Sequence, residues 1–287
     1  MEEHGEYSVA KWAEFYQVSR SGYYDWLERR EERFREEAAI KAEIKRLFEE
    51  SEGSYGPERI CGIFRGTGKK LSYGKASGYM AEMGLSSVYN RHKRQRSLTD
   101  SGKSRGDGYP NLIRGNSFEQ PYTAVCGDIT YLKSGEGWLY MCIVKDIVTG
   151  IILGTATSEN MKKELVIRVF LNAQARHPLN DGAIFHSDRG SQYTSREFME
   201  TLFKYKVKQS FSRVGMPGDN AWAESFFASL KKERVHFRYY ATREELRQAM
   251  FAWTEGLYNT RRVQKRLGYL SPREYAAKLS AAENPAA

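Results

Sequence analysis

VCGDITYL, residues 125–132, sets one acid, Asp128, inside a run of apolar, β-branched and aromatic residues. Two runs of similar character follow, GWLYMCIVKDIV (137–148) and GIILGTATS (150–158), each introduced by a short turn containing glycine. Such residues suit a pleated, half-buried surface, so the three runs predict consecutive strands of an antiparallel meander. An acid within an apolar strand is costly to bury unless it is paired or bound to a metal. Asp128 therefore needs a partner.

Further along, periodicity predicts a helix over about 162–176, a strand at GAIFHS (182–187), a helix over about 195–205, a short strand at KVKQSFS (206–212) and a long helix from about Asn220. Three strands, helix, strand, helix, strand, helix is the element order of an α/β, ribonuclease-H-like core with a mixed five-stranded sheet. Two more acids stand at informative places in it. Asp188 lies in FHSDRGSQYTS (185–195), where the fourth strand runs into polar loop, and Glu224 lies in the first turns of the last helix. An aspartate before glycine and serine is most simply a turn or cap residue. Together, however, three carboxylates are the hard oxygen ligands that Mg²⁺ or Mn²⁺ prefers, and two such ions about 4 Å apart can activate an attacking oxygen and stabilise a leaving one in phosphoryl displacement. Thirty-five residues separate Asp188 from Glu224.

The whole composition agrees with a polyanionic partner. The 287 residues carry 45 Lys and Arg against 36 Asp and Glu, a formal charge of +9, which favours nucleic acid. No apolar run approaches the roughly 20 residues of a membrane helix, and the polar start MEEHGEYS is unlike a signal peptide, so a soluble protein of the cytoplasm, close to the nucleoid, is expected. Three scattered cysteines, Cys61, Cys126 and Cys142, outline neither a disulfide framework nor a zinc site.

Upstream of the core, two helical patterns meet at VSRS (18–21), with Ser8 and Ser19 as N-caps. They read as a helix-turn-helix whose second helix could present Arg20 and Tyr23 to a DNA groove, or equally as a plain helical hairpin. A charged helix runs on to Ser51. Pro57 then opens another helix, Gly66 and Gly68 end it, and a helix over about 73–83 turns Lys75 outward, resembling a second small helix-turn-helix. The boundaries are 1–52 and 53–88 for these modules, 89–120 for a linker, 121–235 for the core and 236–287 for a helical basic extension. The linker is rich in Gly, Ser and basic residues; Arg91, Lys93, Arg94 and Arg96 either are solvated or track phosphates. In the extension, YNTRRVQKRLGYLSP (258–272) brings Arg261, Arg262, Lys265 and Arg266 together as candidate phosphate contacts.

DITYL (128–132), FHSDRGSQYTS, SFSRVGMPGDNAWAESFFASLKKE (210–233) and YNTRRVQKRLGYLSPREY (258–275), in this order, resemble the DD(35)E transposases encoded by the second reading frame of the bacterial insertion-sequence-three family. SRSGYYDWL and YGPERI resemble the family's N-terminal helix-turn-helix segments, so the likeness spans nearly the whole chain. The resemblance implies a transposase that binds the terminal inverted repeats of its element, cleaves the 3′ ends and joins them to target DNA. Asp128 would be shared by two Mg²⁺ ions, replaceable by Mn²⁺, with Asp188 and Glu224 each holding one. It also implies a homo-oligomer, at least a dimer on double-stranded DNA, and relatives make a frameshifted fusion with an upstream reading frame. Lys231, two turns from Glu224 on the same helix side, would reach a phosphate. Asp219 and Asn220 would cap that helix, and GMPGDN (215–220) would be a mobile loop that orders on DNA. Ser187, Arg189 and Gln192 are candidates for support or DNA contact, Asn220 for DNA contact, and His186 reads equally as structural or catalytic. Two positions depart from the family's pattern: Val125 where tryptophan is usual and Gly150 where arginine is usual. The alternatives are a nuclease of this fold without strand transfer and a catalytically silent DNA-binding regulator.

Overall fold

The computed structural model describes residues 8–90, 110–213 and 216–283. These form two compact units, one of residues up to Cys61 together with Leu71–Ser86, the other of Gly62–Lys70 together with residues from Ser87 onward. Four helices lead the chain: α1 (Val9–Phe15), α2 (Arg20–Glu50), α3 (Pro57–Gly66) and α4 (Tyr73–Glu82). Ser8 and Ser19 cap α1 and α2 as expected, the Ser19 hydroxyl accepting from the Gly22 amide at 2.9 Å. The second helical pattern and the charged stretch after it form one 31-residue helix, because no glycine or proline breaks the run after Gly22. Its C-terminal half buries Ile44 and Leu47, and Lys41 there pairs with Glu37 and with Glu82 of α4.

The second unit is built on one sheet of five strands, β1 (Ala124–Ser134), β2 (Gly137–Asp146), β3 (Ile152–Ser158), β4 (Ile184–Ser187) and β5 (Lys208–Phe211), in the order β3-β2-β1-β4-β5. β1, β2 and β3 pair antiparallel, while β4 pairs parallel to both β1 and β5. This is the mixed sheet expected of a ribonuclease-H-like core. The meander carries α5 (Lys163–Arg176) and α6 (Arg196–Lys204), followed by α7 (Ala221–Leu230), α8 (Arg243–Phe251) and α9 (Pro272–Glu283). Among the described residues no helix is long and apolar enough to cross a membrane.

Alternation along β1 divides the interior. Ala124, Cys126 and Leu132 enter a cluster with Phe226, Leu230, Leu246 and Trp253 from α7, α8 and the segment after α8. Val125 enters the opposite cluster with Val166, Phe170 and Phe198 from α5 and α6. Both faces of the central strand are thus covered, which is why its sequence is apolar at odd and even positions alike.

The predicted long helix is α-helical only to Leu230; Lys231–Val235 form a π turn, and Ala252–Tyr258 form another after α8. π turns are rare and gather at functional sites. Both lie against the same buried ion pair, described below.

Gly154 on β3 shows how closely the layers approach. A Cβ there would lie 2.8 Å from the Val169 carbonyl oxygen and 2.9 Å from the Ala173 amide of α5, both backbone atoms. Gly154→Ala should therefore lower folding stability by about 1–3 kcal/mol, the usual scale for overpacking. Urea denaturation checks it; an unchanged midpoint would mean that α5 yields without penalty.

Candidate active site

β4 bonds to β1 only over Ala124–Cys126, so β1 continues beyond it with no strand on that side. The parallel register sets Cys126 opposite His186, and two residues further along it brings Asp128 level with Asp188, just past the end of β4. From the other direction, Asn220 donates its side-chain Nδ2 to the Gly127 carbonyl at 3.2 Å, which fixes the start of α7 beside Asp128. Glu224 follows one turn later. Gly127 itself has no room for a side chain, since a Cβ would lie 2.5 Å from the Phe185 ring.

Electrostatics converge on Asp128. Burial pushes the Asp128 carboxyl up to about 7; the negative charges of Asp188 and Glu224 push the same way, while the Ile129 amide and the Lys231 ammonium oppose. Asp188 and Glu224 both keep part of their surface open to solvent, yet desolvation raises each of their carboxyls as well. The Asp188 Oδ1 accepts from the Gly190 amide at 3.0 Å, so the turn reading of this residue also holds. Burial lowers the Lys231 ammonium and Asp128 counters it; its Nζ stands 5.1 Å from the centroid of the Tyr131 ring.

The residues around the acids are pinned. His186 is fully buried, its Nδ1 2.9 Å from the Ser210 hydroxyl and its Nε2 3.1 Å from that of Ser212, and burial brings its pKa down to about 4. It is a neutral strut at physiological pH. Ser187 is buried and bonds to the Asp188 carbonyl. Arg189 donates to the Ser212 carbonyl at 3.0 Å and Gln192 to the Met161 carbonyl at 3.0 Å, so both brace the loops about Asp188.

The capping expectation for α7 fails. Asn220 makes no side-chain cap bond, and Asp219 forms a bidentate ion pair with Arg213 and accepts from Asn111 Nδ2. That pairing holds the Asp219 carboxyl well below the usual carboxylate range. The Asp219 oxygens that could have capped the helix are committed to tertiary contacts, and Asn220 is held through its Nδ2 to Gly127, so the described end of GMPGDN is anchored rather than loose.

Among the basic candidates, Arg20 and Lys75 are exposed on α2 and α4, and Tyr23 is half-buried, stacked on Trp26 at 6.2 Å. Arg91, Lys93, Arg94 and Arg96 lie outside the described residues. Arg261 and Lys265 are exposed, Arg261 donating to the Gly256 carbonyl at 3.0 Å. Arg266 is also exposed; its guanidinium lies 3.4 Å from the Ile147 and Val148 carbonyls and covers Gly150, so a cation does reach the position where the family's arginine is missing.

Arg262 is not a phosphate contact. It is 4% exposed, and its guanidinium bonds to Glu233 Oε1 at 2.8 and 3.0 Å, the Ser229 hydroxyl at 3.1 Å and the Tyr89 hydroxyl at 2.9 Å. Glu233, in the π turn after Lys231, also accepts from Tyr89 at 2.5 Å and from the Trp253 indole at 3.2 Å. Sequence reading missed Glu233 because its partner lies 29 positions away. It also missed Lys145, buried on β2, whose Nζ donates to the Trp222 carbonyl in the first turn of α7 at 2.7 Å. The signal was present there, as a lysine within an apolar strand.

A mixed five-stranded sheet of this order, with acids within β1, just past β4 and on α7, defines a ribonuclease-H-like protein of the integrase-core class. Two models described as "Integrase core domain" match residues 119–217 and 205–272. The chain is 34% identical over 242 residues to the transposase for insertion sequence element IS904 of Lactococcus lactis, covering 84% of this chain and 94% of that protein. It is 31% identical over 284 residues to the transposase InsF for insertion sequence IS3A of Escherichia coli, covering 95% of each. Among solved structures, the HTLV-2 integrase catalytic core domain in complex with magnesium (trimeric form) is 16% identical, covering 54% of this chain and 96% of that chain at a TM-score of 0.39. The chain belongs to the insertion-sequence-three family of transposases.

Breaking a buried ion pair by removing one partner typically costs about 3–5 kcal/mol, whereas replacing both with apolar groups costs far less. Arg262→Ala should therefore lower stability on that scale, and the Arg262→Leu/Glu233→Leu double variant should lose less than Arg262→Ala. An Arg261/Lys265/Arg266→Ala variant that still folds should instead make the salt dependence of duplex binding shallower, by at most roughly 3 in log-log slope. Chemical denaturation and a salt series separate the two roles; a stable Arg262→Ala variant with a shallower salt slope would return this arginine to the DNA surface.

Proposed function

We propose that this transposase cleaves the 3′ ends of its element and joins them to target DNA at the Asp128, Asp188 and Glu224 cluster, acting as a divalent-metal-dependent polynucleotidyl transferase. The observation that carries this reading is the charge gathered about Asp128: burial and the negative charges of Asp188 and Glu224 together push its carboxyl up to about 7. So much negative charge, opposed by Lys231, suits a site for divalent cations. The Asn220 Oδ1 is a further buried oxygen with no hydrogen-bond partner beside the cluster. Among the described residues no three acidic, His or Cys side chains stand close enough together to ligate one ion. The acids would serve in pairs, Asp128 with Asp188 and Asp128 with Glu224, holding Mg²⁺ or Mn²⁺. Bound there, the ions would supply charge neutralisation at the phosphate and acidify the attacking hydroxyl.

The protein's own contribution is to hold these groups before substrate arrives. Asn220 and Lys145 fix the start of α7, Gly190 orients Asp188, and Lys231 offers a cation to a non-bridging phosphate oxygen. Water would be the nucleophile for cleavage and the freed 3′-hydroxyl for joining, without a covalent protein intermediate. The N-terminal helices, with Arg20, Tyr23 and Lys75, would recognise the terminal inverted repeats, and Arg261, Lys265 and Arg266 would bind backbone irrespective of sequence. The working enzyme would be at least a dimer on DNA, with or without an upstream-frame fusion.

Asp128→Asn, Asp188→Asn and Glu224→Gln should each reduce cleavage and joining by at least about 100-fold in Mg²⁺, while gel-shift affinity for DNA changes little. Each substitution removes a charge from the site and no packing from the core. Near-normal joining by any one variant would take that residue out of the site; cleavage without joining in the unmodified protein would favour the nuclease reading.

A further inference from the structure

We propose that the open end of the β1–β2 hairpin is a stacking platform for one unpaired nucleobase of the DNA strand held at the acids. This rests on the DNA chemistry proposed above and adds a form of substrate to it. The odd residues of β1 face the α5 and α6 side of the sheet, and Val125 near the start of the strand is fully buried there. At the far end the same face opens. Tyr131 lies across from Tyr140 and Lys133 from Trp138 in the strand register; both tyrosines are half-buried, Lys133 is exposed, and Trp138 is 43% exposed. The Tyr131 and Trp138 rings meet edge to face with centroids 5.3 Å apart. The indole is thus held in place while much of it stays open to solvent.

Charge identifies the occupant. Lys133 is the direct cross-strand neighbour of Trp138, and Lys231 stands over the Tyr131 ring, so aromatic surface is interleaved with cations. The acid in the turn, Glu136, already accepts from the Arg243 amide at 2.7 Å. Aromatic faces beside cations that can follow a backbone are how proteins hold single-stranded nucleic acid, and every base offers a π-face to them. Bases inside a duplex have both faces covered, so the occupant is an unpaired one. Lys231 links the platform to the acids: Tyr131, three residues from Asp128, lies on the other face of β1, yet Lys231, just past the end of the helix that carries Glu224, reaches the Tyr131 ring and acts on the Asp128 carboxyl. A base lifted from the helix next to the reacting phosphate would fix the strand end in register with the acids.

The test uses the full chain with two fluorescent probes, a single-stranded oligodeoxynucleotide carrying 2-aminopurine and a blunt duplex of the same sequence. With the unmodified protein the single strand should bind with quenching of 2-aminopurine. Trp138→Ala should weaken single-strand binding roughly 10- to 100-fold, the loss expected for one stacked base, and Trp138→Phe should restore most of it. Affinity for the blunt duplex, set by phosphate contacts, should stay within about twofold. Unchanged single-strand affinity in Trp138→Ala, or an equal loss on both probes, would overturn the platform and leave the DNA reading standing. Failure of the unmodified protein to bind either probe would overturn both.

Discussion

Asp128 is a carboxylate on the central strand of the sheet, with Asp188 and Glu224 adding negative charge and Lys231 opposing it. Left to itself, the protein answers this arrangement by holding the carboxyl on its proton, up to about 7. A divalent cation would answer it better. Pre-placed charge of this kind carries its unfavourable energy in the folded chain, so little reorganisation remains when substrate arrives. The fold must then be stable enough to carry the strain, which explains why β1 is buried on both faces and why Gly127, beside Asp128, leaves no space for a side chain.

The same constraint accounts for the fastening of α7. Its first turn is held by Asn220 to Gly127 and by Lys145 to Trp222, and the π turn after it by Glu233 to Arg262, Tyr89 and Trp253. Glu224 and Lys231 lie between these anchors. Basic and aromatic residues of the C-terminal segment therefore serve the site mainly by packing: Arg262 neutralises Glu233, Tyr258 packs on Phe226 at 4.7 Å between ring centroids, and Asn259 brackets β3 by bonding both the amide and the carbonyl of Ile152. Arg261, Lys265 and Arg266, by contrast, lie exposed.

Much of this was legible in the sequence because it is local. β-branched and aromatic runs between glycine turns marked the three-stranded meander, Ser8 and Ser19 marked helix starts, and an acid inside an apolar strand marked Asp128. What escaped depends on partners distant in the chain. A basic run reads as solvated surface until Glu233 is found opposite Arg262; Asp219 reads as a cap until Arg213 and Asn111 take it; and a π turn has no periodicity distinct enough to separate it from an α-helix. The hairpin aromatics read in the sequence simply as strand formers, since a period of two says which residues share a face but not whether a helix covers it.

Calorimetric titration with Mg²⁺ shows whether a cation takes the place of the proton on the half-buried Asp128 carboxyl. Repeating the titration at pH 7 in buffers of different ionisation enthalpy counts the protons released. With Asp128 near half-protonated at that pH, binding should release about half a proton, less at pH 8.5, and close to none in Asp128→Asn, which should also bind more weakly. Mg²⁺ binding without proton release, or with the same release and affinity in Asp128→Asn, would contradict it.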